Sequence, residues 1–111
     1  MPVTTLTELS EDDLLAMLGK ELLGPGIGFG PEDPGRYRRF AEHWIEERAD
    51  KIRVAICHDE SVQAVFAKDL QDRFNDWAVL ADALTTLAGR PPLTLLAVVL
   101  LRRGYEAVCG H

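Results

Sequence analysis

The sequence predicts an all-α protein, a compact bundle of five or six helices with the 91–103 helix central and buried. Three observations predict it. The run Leu93-Thr94-Leu95-Leu96-Ala97-Val98-Val99-Leu100-Leu101 is apolar on nearly every helical face, and such a helix must be surrounded by protein. It falls well short of the roughly 20 residues needed to cross a bilayer. Elsewhere apolar residues recur at helical spacing, and the one alternating stretch, 51–56, has no second strand to pair with,.

Residues 1–9 read as a loose leader. Ser10 then starts a helix. Ser10 and Asp13 approximate a capping box, Leu9 and Leu14 occupy staple positions, and Glu11, Asp12 and Asp13 sit where the helix dipole favours negative charge,. Leu14, Leu15, Leu18 and Leu22 supply its apolar face, and Gly24-Pro25-Gly26 ends it,. A Gly/Pro loop over 24–35 follows, with Ile27 and Phe29 as its apolar side chains. Tyr37, Phe40, Ala41, Trp44, Ile45, Ala49, Ile52 and Ile56 then keep a helical period over 34–57,. This second helix either runs unbroken or bends near Ala49-Asp50.

Asp59 is positioned to cap a third segment whose Val62, Val65, Phe66 and Leu70 share a face,. Asn75 is the expected cap of the next. There Trp77, Leu80, Ala81, Leu84, Leu87 and Ala88 form the cleanest amphipathic stripe, stopped by Gly89. Pro91-Pro92 opens the central helix. Gly104 caps its end, Arg102 and Arg103 complement its dipole, and Tyr105 to Cys109 adds a short final turn,. Trp44 and Trp77 both lie on apolar stripes and are expected in the core. The 111 residues and 47% apolar composition fit a single domain over 1–111,.

The charge is unevenly spread. Glu8, Glu11, Asp12, Asp13, Glu21, Glu32 and Asp33 face only Lys20 within residues 1–35, which accounts for the whole net charge of −6, while residues 36–111 balance. An acidic end on a neutral body repels phosphate backbones, so nucleic acid is not the expected ligand. A basic protein partner fits better. There is no basic segment followed by an apolar run at the start, so the expected location is cytoplasmic, without a membrane span. In that compartment Cys57 and Cys109 are expected as free thiols, with Cys57 buried.

Chemical motifs are weak. The glycines at 24, 26, 28 and 30 resemble a phosphate cradle, but Glu32 and Asp33 follow where a phosphate loop needs Lys and Ser or Thr,. Cys57-His58-Asp59 lists the members of a triad, yet a triad is assembled in space, and helical neighbours point about 100° apart. Cys57, His58, Cys109 and His111 lack the close pairs of a structural zinc site, and His43 reads as a surface residue,. No catalytic, cofactor or metal residue is assigned, and the chain is not expected to be an enzyme. Arg36, Arg38 and Arg39 flank Tyr37, and Glu42, Glu46 and Glu47 further along suggest ion pairs on the same helix,.

The stretch Leu100-Leu101-Arg102-Arg103-Gly104-Tyr105-Glu106-Ala107-Val108-Cys109 resembles the closing element of bacterial effector-associated domains. The expected bundle of five or six short helices in 111 residues also resembles the death-like class of small adaptor folds. The resemblance implies an adaptor without catalysis, joining like-with-like to larger proteins of anti-phage or conflict systems. It carries over no site residue.

These readings converge on a non-catalytic protein–protein interaction module in a bacterial signalling or defence system, whose partners include copies of its own fold. Its expected binding residues are the acidic Glu11, Asp12 and Asp13 and the basic Arg36, Arg38 and Arg39. The alternative is an acidic immunity or inhibitor-type protein that blocks a basic site on a toxin or nuclease.

Overall fold

Seven consecutive residues of the last long helix, Leu95 to Leu101, are buried, and the rest of the molecule is arranged to cover them. The computed structural model of the chain describes residues 6, 8–23, 34–87 and 91–110. In chain order the helices are α1 (Glu11–Leu23), α2 (Pro34–Glu47), α3 (Ala49–Ile56), α4 (Glu60–Phe66), α5 (Leu70–Asn75) and α6 (Trp77–Ala83). A 3-10 turn (Leu84–Thr86), α7 (Leu93–Arg103) and α8 (Tyr105–Cys109) complete the fold. There is no strand among the described residues. Helix α7 touches α1, α5, α6, the 3-10 turn and α8, so the all-α bundle has the central rod that its apolar run requires. No helix among the described residues is long and apolar enough to cross a membrane.

Local chemistry explains most boundaries. The Asp13 N–H donates to Ser10 Oγ at 3.1 Å, closing the start of α1,. Within the expected leader Leu6 is buried, and its carbonyl accepts from Leu9 N–H. The Asp59 carboxylate accepts from the Ser61 and Val62 N–H groups and starts α4,. Gly104 closes α7 at φ 91°, ψ 165°, a region essentially reserved for glycine. The loop residues 24–33, with Ile27 and Phe29, lie outside the described residues, as do Ala88 and Gly89.

Two apolar stripes are broken, the first next to the bend expected near Ala49-Asp50, and the short helices α5 and α8 raise the number beyond six among the described residues. The chain leaves helical dihedrals at Arg48 (φ −110°, ψ 11°). There the Arg48 N–H donates to Ile45 O, a tighter turn than the α-helix makes,. The break separates α2 from α3 while Ile45, Ile52 and Ile56 all stay buried, so the chain bends around the core. The Arg48 guanidinium sits 4.4 Å over the Trp44 ring and holds the bend,.

The second break falls in the Val62–Leu70 stripe, between α4 and α5, and the extra helix α5 corrects the expected role of Asn75. Asn75 ends α5, and Asp76 stands at the start of α6 without a side-chain cap bond. The Asp76 carboxylate is instead engaged by the Lys68 ammonium. Leu70 also departs from its expected face. It is exposed because α4 stops at Phe66 and a new helix begins at Leu70 itself. Phe40 is likewise partly exposed, and Trp44 and Trp77 are half-buried at the core's edge.

Two arrangements bind distant elements. Gly19 of α1 lies directly against the backbone of Tyr37 in α2: a Cβ at Gly19 would stand 2.0 Å from the Tyr37 carbonyl oxygen. The Arg73 guanidinium donates to the carbonyls of Leu101, Phe66 and Lys68 at 3.1–3.2 Å. One planar cation thus serves the open ends of α4 and α7 at once.

The cysteines correct the sequence reading. Cys57 and Cys109 form a disulfide, with Cα atoms 5.8 Å apart. Gly104 turns the chain so that α8 brings Cys109 back to the C-terminal end of α3, a proximity that a separation of 52 residues does not reveal. Both thiols are consumed, which removes them as metal ligands and removes Cys57 as a nucleophile.

Candidate functional site

The first turn of α1 packs beside α2 and the C-terminal end of α7, and its acids are divided between those two neighbours. Glu11 Oε1 accepts from Arg103 Nε at 3.0 Å. Asp12 Oδ2 lies 3.2 Å from Arg38 Nη1. Successive residues of a helix point about 100° apart, so adjacent carboxylates reach opposite partners. Asp13, next in the turn, is exposed.

The acidic and basic turns expected from the sequence meet at one point, the Asp12–Arg38 pair. Glu11 and Arg38 are half-buried, while Asp12, Asp13, Arg36 and Arg39 are exposed. Among the described residues Asp13 and Arg39 form no ion pair. The Arg38–Asp12 pair is exposed by 39% and 67%. Solvent screens such a pair, which contributes at most about 1 kcal/mol. It orients the side chains more than it stabilises the fold.

The pairing pattern differs from the one expected along α2. Arg38 reaches across to α1 rather than to a glutamate on its own helix. On α2, His43 pairs with Glu47 at 2.7 Å, at the surface. Arg103 is the residue that sequence reasoning missed, having been read only as a complement to the dipole of α7. Ninety-two residues separate it from Glu11, and no local pattern carries that information. With Glu11, Arg102 and Ala107 it lines an open groove of about 570 Å³.

The remaining candidates do not come together. No group of three or more potential metal ligands occurs among the described residues, and His111 lies outside them. Every fully buried side chain among the described residues is apolar. No family model matches the chain, and no curated protein or solved structure shows significant similarity to it.

Proposed function

We propose that the chain is a non-catalytic protein–protein interaction module, an adaptor that associates with copies of its own fold in a bacterial signalling or defence system of the cytoplasm. The observation that carries this reading is the pairing of acid and base where α1 meets α2, Asp12 with Arg38, with Asp13 and Arg39, the next residue of each helix, exposed. A surface bearing both signs is self-complementary. The acids of one copy face the arginines of another across a two-fold axis, which closes into a dimer. Two patches on opposite ends would instead favour rings or filaments. The inhibitor alternative loses support from the same geometry, because Glu11 and Asp12 are already engaged by arginines and present less charge to a basic target.

Light scattering coupled to size exclusion, over a concentration series at low and high salt, tests the reading. The expected mass grows beyond the monomer at low salt and returns to it at high salt. Arg39→Glu and Asp13→Arg should each hold the chain monomeric; the thermal midpoint should be unchanged in Arg39→Glu and slightly lowered in Asp13→Arg, whose new charge opposes the dipole of α1,. The double swap should restore association. A strict monomer at every concentration refutes self-association.

A further inference from the structure

The disulfide holds its two ends unequally. Cys57 is buried and fixed by bonds of its own. Its N–H donates to Arg53 O at 2.8 Å, and its carbonyl accepts from Gln63 Nε2 at 2.9 Å. Cys109 is half-exposed and ends α8, a helix of five residues beyond the Gly104 turn. A helix this short does not persist without tertiary support. Apart from the disulfide, that support rests mainly on buried Val108 and on the Tyr105 ring, which meets Phe66 edge-on at 5.8 Å.

We propose that the Cys57–Cys109 disulfide is a redox clasp on α8: oxidation pins the helix beside Phe66, and reduction releases it while the remaining bundle stays folded. The inference is independent of self-association. It rests on the cytoplasmic location proposed above, where disulfides are rare and usually catalytic or redox-sensing; a bond joining a fixed residue to a movable one suits the second role.

The chemistry is thiol–disulfide exchange with a small cellular thiol. Its thiolate attacks the more accessible Cys109 sulfur. The Cys57–Cys109 bond breaks, Cys57 leaves as thiolate, and Cys109 carries a mixed disulfide. A second thiolate attacks the small-molecule sulfur of that bond and releases Cys109. Two small thiols are oxidised to one disulfide, and their two protons end on Cys57 and Cys109. On release of α8, the 390 Å³ groove lined by Gln63, Phe66, Ala67 and Tyr105 loses its Tyr105 wall. Phe66 then opens to solvent.

The test compares ¹⁵N relaxation of the oxidised chain with that of the chain reduced by dithiothreitol, with the thiol state of each sample confirmed by mass after alkylation. The expected result is an order parameter for residues 105–109 near 0.85 when oxidised and below about 0.6 when reduced. Helix α7 should keep its dispersed resonances in both states. Cys109→Ser should match the reduced chain in either buffer. Three results would overturn the proposal: α8 staying rigid after reduction, resonance dispersion collapsing throughout the reduced chain, or the bond failing to form in an oxidising buffer. The wild-type comparison stands even if the variant folds poorly.

Discussion

Replacing Gly19 by alanine sets two physical expectations against each other. Helix propensity favours the change by about 1 kcal/mol, since glycine is the poorest ordinary residue inside a helix. Packing opposes it. The new methyl carbon would stand 2.0 Å from the Tyr37 carbonyl oxygen, 2.6 Å from its carbonyl carbon and 3.0 Å from its Cα. All three obstacles are backbone atoms of α2, so no side chain can rotate away. Restoring an ordinary contact of 3.4–4 Å requires α1 and α2 to part by about 1.4–2 Å, and gaps of even 0.5–1 Å forfeit a quarter to a half of each dispersion contact they open. The seam that would open includes Leu15, Leu18 and Ala41, all fully buried. Overpacking of this kind costs about 3 kcal/mol at the upper end of its usual range. After the propensity gain, the net destabilisation is about 2 kcal/mol. For a domain of this size that lowers Tm by roughly 10 °C. Thermal unfolding followed by circular dichroism measures it directly. An alanine variant as stable as the wild type, or more stable, would refute the close approach of α1 to α2.

Other outcomes follow from single residues. Gly104→Ala forces a side chain onto φ 91°, ψ 165°, and chemical denaturation should show a loss of about 1–3 kcal/mol. Arg73→Met keeps the aliphatic stem but strands the carbonyls of Leu101, Phe66 and Lys68; the same assay should register about 2–3 kcal/mol. Asp59→Ala removes the cap of α4 and should cost about 1 kcal/mol. The hydrogen bond that Lys68 donates to Asp76, reinforced by the carboxylate charge, raises the Lys68 pKa above the ordinary 10.5. The pair's contribution is therefore complete below pH 10.5 and fades as the pH climbs through the higher folded value. An NMR titration of Lys68 Cε should show its midpoint falling back toward 10.5 in Asp76→Asn, and an unchanged midpoint would rule out Asp76 as the cause.

The legible parts of this fold were those set by neighbours in sequence. Leu95 to Leu101 bury together because a helix without a polar face has no solvated orientation,. Ser10 and Asp59 begin helices because their side chains reach N–H groups two or three residues on,. Gly104 ends α7 because its dihedrals exclude a Cβ,. The misread parts depended on partners far along the chain. Asp76 rather than Asn75 begins α6, with its carboxylate committed to Lys68 eight residues away. The cysteines bond because Gly104 folds α8 back toward α3.

The candidate site divides the same way. Composition alone identified an acidic start and a basic turn, since charge per segment is a property of the chain. Whether those surfaces lie apart or together is set by how α1 packs on α2 and α7. The close approach permitted by Gly19 brings α1 and α2 together, and the paths of α2 and α7 carry Arg38 and Arg103 to Asp12 and Glu11. Sequence by itself determined the all-α class, the buried central helix and the helix ends at Ser10, Asp59 and Gly104, because propensity, capping and periodicity act over a few residues. Only the tertiary structure decided which charges meet and which cysteines bond, because a contact across 92 or 52 residues depends on the path of the whole chain between them.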